Sequence, residues 1–82
     1  MYRVVPDDAV NDQIAALPAV ALAAFAEART LLEIAPWSGR ALHSDNPEGA
    51  VRLLPFGGFG ALICLILERD REVHPLVVQW LG

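Results

Sequence analysis

Residues 51–80 read VRLLPFGGFGALICLILERDREVHPLVVQW, and this stretch decides the fold. It contains three short apolar runs, which are separated by Gly57-Gly58 and by the charged segment 68–71. Short apolar runs broken by such residues are typical of consecutive antiparallel strands. The sequence therefore predicts a three-stranded β-meander in the second half of the chain.

The middle run, residues 60–67, is apolar at nearly every position. Side chains alternate across a strand, which divides this run between two faces: Ala61, Ile63, Leu65 and Leu67 on one, and Leu62, Cys64 and Ile66 on the other. Antiparallel sheets in small domains usually turn one polar face to water, so a strand that is apolar on both faces is unusual. Both faces therefore require cover, from a second layer of the same domain or from a partner chain.

The residues before the meander predict a short strand followed by a helix. Residues 2–5 are β-prone and end at Pro6. Asp7 and Asp8 are typical helix-start residues, because their carboxylates accept from free backbone N–H groups at the positive end of the helix dipole. An apolar stripe at helical spacing then predicts a first helix over residues 8–17.

A second helix is indicated over residues 19–35, where alanine, phenylalanine and leucine recur at helical spacing until Pro36 ends the pattern. Residues 37–49, WSGRALHSDNPEG, are rich in turn-forming residues and predict a loop. Long loops in compact domains are often functional, and this one carries Arg40 and His43.

The predicted order is β-α-α-β-β-β. Because helices and strands are segregated along the chain, we expect an α+β fold in which two N-terminal helices pack on one face of a small antiparallel sheet. A length of 82 residues predicts a single domain over residues 1–82. The helices can cover only one face of the sheet, so the second apolar face is left for a partner.

Composition narrows the functional classes. The apolar share of 55% exceeds that of an ordinary soluble domain, which favours a hydrophobic surface that meets another protein. The net charge of −4 disfavours a broad nucleic-acid-binding surface but is compatible with a local basic patch. No apolar run approaches the ~20 residues that span a bilayer, so we expect a soluble, cytoplasmic protein.

Metal and cofactor chemistry has little support in the sequence. The single cysteine, Cys64, lies in the most apolar run and is expected to be a small core residue. Two histidines far apart in the chain do not make a metal site, and no glycine-rich phosphate loop precedes a helix. We therefore expect no metal and no cofactor.

Five segments match a known family in order and spacing: YRVV at 2–5, APW at 35–37, DNPEG at 45–49, RLLPFG at 52–57 and VVQW at 77–80. On these segments, and over nearly its whole length, the chain resembles the RelE/ParE superfamily of type II toxin–antitoxin toxins. The resemblance implies a compact β-α-α-β-β-β toxin that binds a cognate antitoxin.

Two activities are implied by that resemblance. The RelE branch enters the ribosomal A site and cleaves messenger RNA without a metal, by attack of the ribose 2′-hydroxyl on the adjacent phosphate. The ParE branch inhibits DNA gyrase. We take a ribosome-dependent mRNA endoribonuclease as the leading expectation, with the ribosome and mRNA as further partners, and a ParE-like gyrase inhibitor or a catalytically degenerate binding module as alternatives. The oligomeric alternatives are a homo-oligomer and a hetero-oligomer with the antitoxin.

The sequence departs from the RelE pattern in four respects. The resemblance leads us to expect an arginine near Ala61 and an aromatic residue near Cys64, and the chain has neither. It also has no lysine, and residues 79–82 read QWLG in place of a basic or His-Tyr ending. Whether the chain is an enzyme therefore stays open.

RelE-type cleavage needs groups that accept and return a proton and cations that hold the phosphate. Arg52 and Arg40 are the candidate phosphate ligands, and His43 and His74 are the candidate proton-transfer groups. Trp80 is the candidate for stacking on a base, together with Arg40 as a substrate-binding residue. Each also has an ordinary structural interpretation: a solvated arginine, a solvated or half-buried histidine, a packing tryptophan. Strand alternation places His74 on one face with Leu76, Val78 and Trp80.

Overall fold

The computed structural model describes residues 1–82 and shows two helices packed against one five-stranded sheet. The strands are Arg3–Val4 (β1), Arg40–Ala41 (β2), Val51–Phe56 (β3), Gly60–Leu67 (β4) and Glu72–Trp80 (β5), and the helices are Asp8–Ala15 (α1) and Ala19–Ile34 (α2). Short 3-10 helices span Pro36–Ser38 and Glu68–Asp70. The predicted α+β class, with two N-terminal helices on one sheet, is confirmed.

The strand order in the sheet is β1-β5-β4-β3-β2. The three long strands pair antiparallel as the meander predicted, but β1 pairs parallel with β5, so the sheet is mixed and the prediction of a purely antiparallel sheet is wrong. No hairpin joins β1 to its neighbour, and the long helical connection that follows it allows parallel pairing.

A fifth strand lies inside the segment that was predicted as a loop. In β2, Arg40 and Ala41 pair with Leu53 and Arg52 of β3. No residue pattern marks this strand, because it has only two residues and is defined by its pairing with β3.

Helix α1 begins as its sequence predicts. The carboxylate of Asp7 accepts a hydrogen bond from the backbone N–H of Val10 at 2.8 Å, which satisfies one of the free donors at the helix start. The helix ends at Ala15, two residues before the predicted end, and α2 begins directly after Pro18.

The turn between β3 and β4 requires glycine. Gly57 and Gly58 have φ angles of 63° and 82°, in the left-handed region that other residues rarely adopt. A Cβ atom on Gly57 would also lie 2.9 Å from the Ala24 side chain and 2.9 Å from the Trp80 ring. The hairpin can therefore pack closely on α2.

The core lies between the helices and one face of the sheet. Phe25 of α2 meets Phe56 of β3 edge-on, with ring centroids 5.7 Å apart. The ten residues of the central cluster are Val10, Phe25, Ala28, Leu32, Leu54, Phe56, Leu62, Cys64, Val73 and Val78. Neither helix has the length and apolar composition that a bilayer crossing requires.

Candidate functional site: the open face of the sheet

Side chains of β4 alternate between two environments. Leu62, Cys64 and Ile66 are at most 2% exposed beneath the helices. Their neighbours Ala61, Ile63, Leu65 and Leu67 point to the other side, where no part of the chain lies over them, and they are partly exposed. We call this second side the open face.

The strand register arranges the open face in four cross-strand rows: Arg3, Glu72 and Leu67; His74, Leu65 and Val51; Val77, Ile63, Leu53 and Arg40; Gln79, Ala61 and Pro55. In the three rows that contain Leu65, Ile63 and Ala61 the β4 residue is apolar and polar or charged side chains stand at row ends, whereas in the first row Leu67 is the one apolar member beside Glu72 and Arg3. The open face is therefore an apolar patch with a polar margin.

Arg40 lies at one margin of this patch. It pairs with Leu53 across β2 and β3, and its side chain is exposed. No side-chain hydrogen bond or salt bridge holds its guanidinium. His43 lies in the loop after β2 and is also exposed, so neither residue is built into a pocket.

His74 lies at the opposite margin, on β5. The predicted face for this residue is wrong, because the register shifts between Ile63 and Cys64 and one extra residue of β5 enters at Leu76. Such a bulge reverses the alternation beyond it. His74 therefore faces the open side with Leu65, while Val78 and Trp80 face the helices.

A short polar chain holds His74 in place. Its Nε2 atom lies 2.9 Å from Oε1 of Glu72, and Glu72 also pairs with Arg3 of the neighbouring strand. The hydrogen bond from His74, and then that from Arg3, lower the pKa of the Glu72 carboxyl. The Glu72 carboxylate fixes the orientation of the imidazole, and this hydrogen-bonded pair is the one arrangement on the open face suited to proton transfer.

Arg40 and His74 flank the patch rather than converge. Three strand spacings and a one-row offset separate their backbones by roughly 15 Å. The space between them is filled by Leu53, Ile63 and Leu65. The open face therefore does not bring these two candidates to one phosphate group.

Arg52 lies on the helix side, opposite Cys64. Its guanidinium donates to the carbonyl of Gly39 at 2.6 Å, to that of Pro47 at 3.0 Å and to that of Gly49 at 3.3 Å. It also lies 5.3 Å from the centre of the Trp37 ring. Arg52 thus holds the loop between α2 and β3 in place, with its donors occupied by the protein's own backbone.

Trp80 is also on the helix side. Its ring lies 5.8 Å from that of Phe56 and 6.0 Å from that of Phe59, and it packs partly buried against the core. The structure places it on the side of the sheet opposite Arg40 and His74.

Sequence reasoning missed a polar network where the residues before β1 meet the two 3-10 helices. The hydroxyl of Tyr2 and the indole N–H of Trp37 both donate to Oε1 of Glu68, at 2.6 Å and 2.8 Å. The Tyr2 bond, then the Trp37 bond, lower the pKa of Glu68, and the Glu68 bond raises the pKa of Tyr2. The three residues are up to 66 positions apart, so no local pattern could have indicated the network.

The remaining reactive groups offer little chemistry. Burial raises the pKa of the Cys64 thiol to about 12, so this sulfur is not a nucleophile near neutral pH. No three metal-ligating side chains come together. The surface is better suited to binding an apolar partner than to forming a concave catalytic pocket.

The fold is similar to that of a chain in the crystal structure of the archaeal RelE–RelB complex from Pyrococcus horikoshii OT3, with a TM-score of 0.64 and 21% sequence identity. The likeness covers 99% of this chain and 96% of that one. No protein-family model and no curated protein matches the sequence. The chain therefore has a RelE-like fold, and the resemblance seen in the sequence is confirmed at the level of the fold.

Proposed function

We propose that the protein is the toxin component of a type II toxin–antitoxin system and that its open face binds the cognate antitoxin. The observation that carries this proposal is an uncovered apolar sheet face on a RelE-like fold. The similar archaeal chain belongs to a complex of RelE with RelB, which supports a protein partner here. We further propose that the protein acts in the cytoplasm.

The four rows indicate what kind of segment would cover the face. Val51, Leu53, Ile63 and Leu65 form a contiguous block on two adjacent strands. Soluble proteins rarely leave such blocks uncovered, and an amphipathic helix can lay its apolar side across them. We expect the chain without its antitoxin to self-associate through the same face.

Cleavage of messenger RNA on the ribosome is the second candidate, because His74 and its partner Glu72 lie on the open face. In that reaction His74 would accept the 2′-hydroxyl proton as the 2′-oxygen bonds to phosphorus, and the P–O5′ bond would break with the departing 5′-oxygen taking a proton from water. Arg3 and Arg40 would attract phosphates from the two margins. Arg52 would act only by holding the loop that carries Arg40 and His43. The wide spacing of these groups leaves gyrase inhibition, or binding without chemistry, as the alternative.

Induced expression in cells that lack any antitoxin tests the proposal. Growth, amino-acid incorporation and plasmid supercoiling are read separately, with His74→Ala alongside the unaltered chain. Toxin function predicts growth arrest on induction. Unimpaired growth with folded protein present would contradict it and leave only a binding module.

The same experiment separates the activities. An immediate block of amino-acid incorporation that His74→Ala relieves would support RNA cleavage. A supercoiling defect that precedes any effect on incorporation would support gyrase inhibition. Arrest that His74→Ala leaves intact would exclude this histidine as the proton acceptor.

A further inference from the structure

A second surface lies away from the open face, in a cleft between α2 and the outer half of β3. Its volume is about 220 Å³. The lining residues are Ala24, Glu27, Ala28, Leu31, Leu54, Pro55, Phe56 and Gly57. We call it the α2 cleft.

The cleft exists because the short strand β2 stops early. It pairs only with Arg52 and Leu53, so the rest of β3 has no neighbouring strand on its outer side. Two small residues of α2, Ala24 and Ala28, face the gap and do not fill it. The floor of the cleft is apolar, because it includes the ring of Phe56, which is 5% exposed.

The occupant of the cleft is not an added strand. The carbonyl of Val51 accepts from Leu42 on the outer side of β3, and hydrogen-bonding groups alternate along a strand, so Pro55 also directs its backbone outward. Proline has no N–H, and this edge therefore offers a carbonyl acceptor without a donor. Strand addition here would lack half of its hydrogen bonds.

The helix layer, which forms one wall of the cleft, carries the negative charge of the chain. Residues 7–34, which contain both helices, carry five carboxylates and one arginine, whereas the five carboxylates in the rest of the chain are matched by five arginines. The whole net charge of −4 therefore lies on the helix layer. At the rim of the cleft, Glu27 is exposed and takes part in no salt bridge.

A ligand that fits these features has an apolar side chain next to a cation with several hydrogen-bond donors. Arginine has five N–H donors and no acceptor, which suits both the Glu27 carboxylate and the Pro55 carbonyl. We propose that the α2 cleft binds an arginine-bearing amphipathic helix of a partner protein, with an apolar side chain in the cleft and a guanidinium on Glu27. The inference rests on the proposed function only in taking that partner to be the antitoxin.

The cleft and the open face meet at one strand. Pro55 lines the cleft and also ends the row that contains Ala61 and Gln79. One partner can therefore cross the edge of β3 and occupy both surfaces.

Three labelled peptides test the inference. Each is a capped 16-residue amphipathic helix with the same leucine face, and the other face carries three arginines, three glutamates or three glutamines. Fluorescence anisotropy measures binding at low and at physiological salt. The arginine peptide should bind about tenfold more tightly than the glutamate peptide, with the glutamine peptide between them.

Charge reversal at the rim locates the site. Glu27→Arg should reverse the order of the arginine and glutamate peptides, whereas Asp12→Arg, which changes the net charge equally on the exposed side of α1, should preserve it. Amide shifts on binding the arginine peptide should concentrate at Ala24, Leu31 and Gly57. Equal effects of the two reversals, or shifts confined to Ile63 and Leu65, would overturn the inference.

The outcomes separate this inference from the proposed function. Peptide binding that ignores Glu27, in a chain that still arrests growth, would refute the cleft and leave the toxin. Binding that Glu27→Arg reverses, in a chain that never affects growth, would uphold the cleft and refute the toxin.

Discussion

Successive residues of β4 have the same apolar character and face opposite sides of the sheet. Leu62 and Cys64 are nearly inaccessible beneath the helices, whereas Ile63 and Leu65 lie on the side without a helix layer and are only partly buried. The helix side shows how the chain stabilises itself. The open face keeps equally apolar residues where they contribute less to folding, which indicates that they serve an interaction with another molecule.

Thiol reactivity should show the largest difference between the two faces. The pKa of Cys64 is raised to about 12 by burial, so the native chain should not react with a disulfide reagent at pH 8. A Leu65→Cys variant should add one thiol that reacts roughly a thousandfold faster, because an exposed thiol has a pKa near 8.5. Thiol titration with and without denaturant measures both rates. Comparable rates for the two sulfurs would contradict the assignment of faces.

Truncating a leucine to alanine should cost more stability on the helix side of the sheet than on the open face. Leu62→Ala should lower the free energy of unfolding by about 3 kcal/mol, because Leu62 is 0% exposed and its truncation leaves a cavity in the core. Leu65→Ala on the open face should cost about 1 kcal/mol, because water already reaches that side chain. Urea unfolding of both variants provides the measurement. A larger loss at Leu65 would show that the open face is part of the folding core.

The arginines of β2 and β3 should also differ in how much they stabilise the fold. Arg52→Ala should lower stability by about 2 kcal/mol, because three backbone carbonyls lose a charged donor. Arg40→Ala should change stability by less than about 0.5 kcal/mol, as expected for an exposed side chain without partners. Amide exchange of residues 37–49 should accelerate only in Arg52→Ala. Unchanged exchange in that variant would refute its role in holding the loop.

Acidification should produce the smallest change in stability. It acts through two carboxylates, those of Glu68 and Glu72. The pKa values of Glu68 and Glu72 are lowered from 4.5 by hydrogen bonds in the folded chain. Each therefore stabilises the fold above its unfolded pKa, and this stabilisation is lost as the pH falls below about 4.5. Denaturation midpoints between pH 6 and pH 3 should fall less steeply in Glu68→Gln and in Glu72→Gln.

Glu27→Gln is the control for the acid series, because this carboxylate has no hydrogen-bond partner in the structure. A profile for Glu68→Gln as steep as the control would contradict the Tyr2–Trp37–Glu68 network.

The sequence allowed the layers and the two-sided strand to be predicted, because these depend on local patterns. Gly57-Gly58 marks one turn, residues 68–71 mark the next, and alternation in β4 assigns its faces. The parallel pairing of β1 was not predictable, since it joins strands from opposite ends of the chain and no local pattern marks it.

The candidate site was harder to predict for the same reason. The bulge at Leu76 moves His74 to the other face. Pro75 is compatible with an edge or with a bulge, so it does not by itself reveal the change of face. Arg52 looked free to bind phosphate, but its donors are taken by carbonyls of a loop that folds back over it. A side chain's role can be inferred from sequence where its partners are near in the chain, and here they are not.

The most direct test of the account compares the self-association of Leu65→Asp with that of Ala26→Asp, each purified without a partner. Both introduce one carboxylate, the first at the centre of the open face and the second on the exposed surface of α2. Circular dichroism and the unfolding midpoint confirm that each chain is folded, and Val51→Lys replaces Leu65→Asp if the latter is not. We predict from sedimentation that the Ala26 variant associates like the unaltered chain and that the open-face variant is monomeric. Association of the folded open-face variant equal to that of the unaltered chain would contradict the claim that this face is the binding surface.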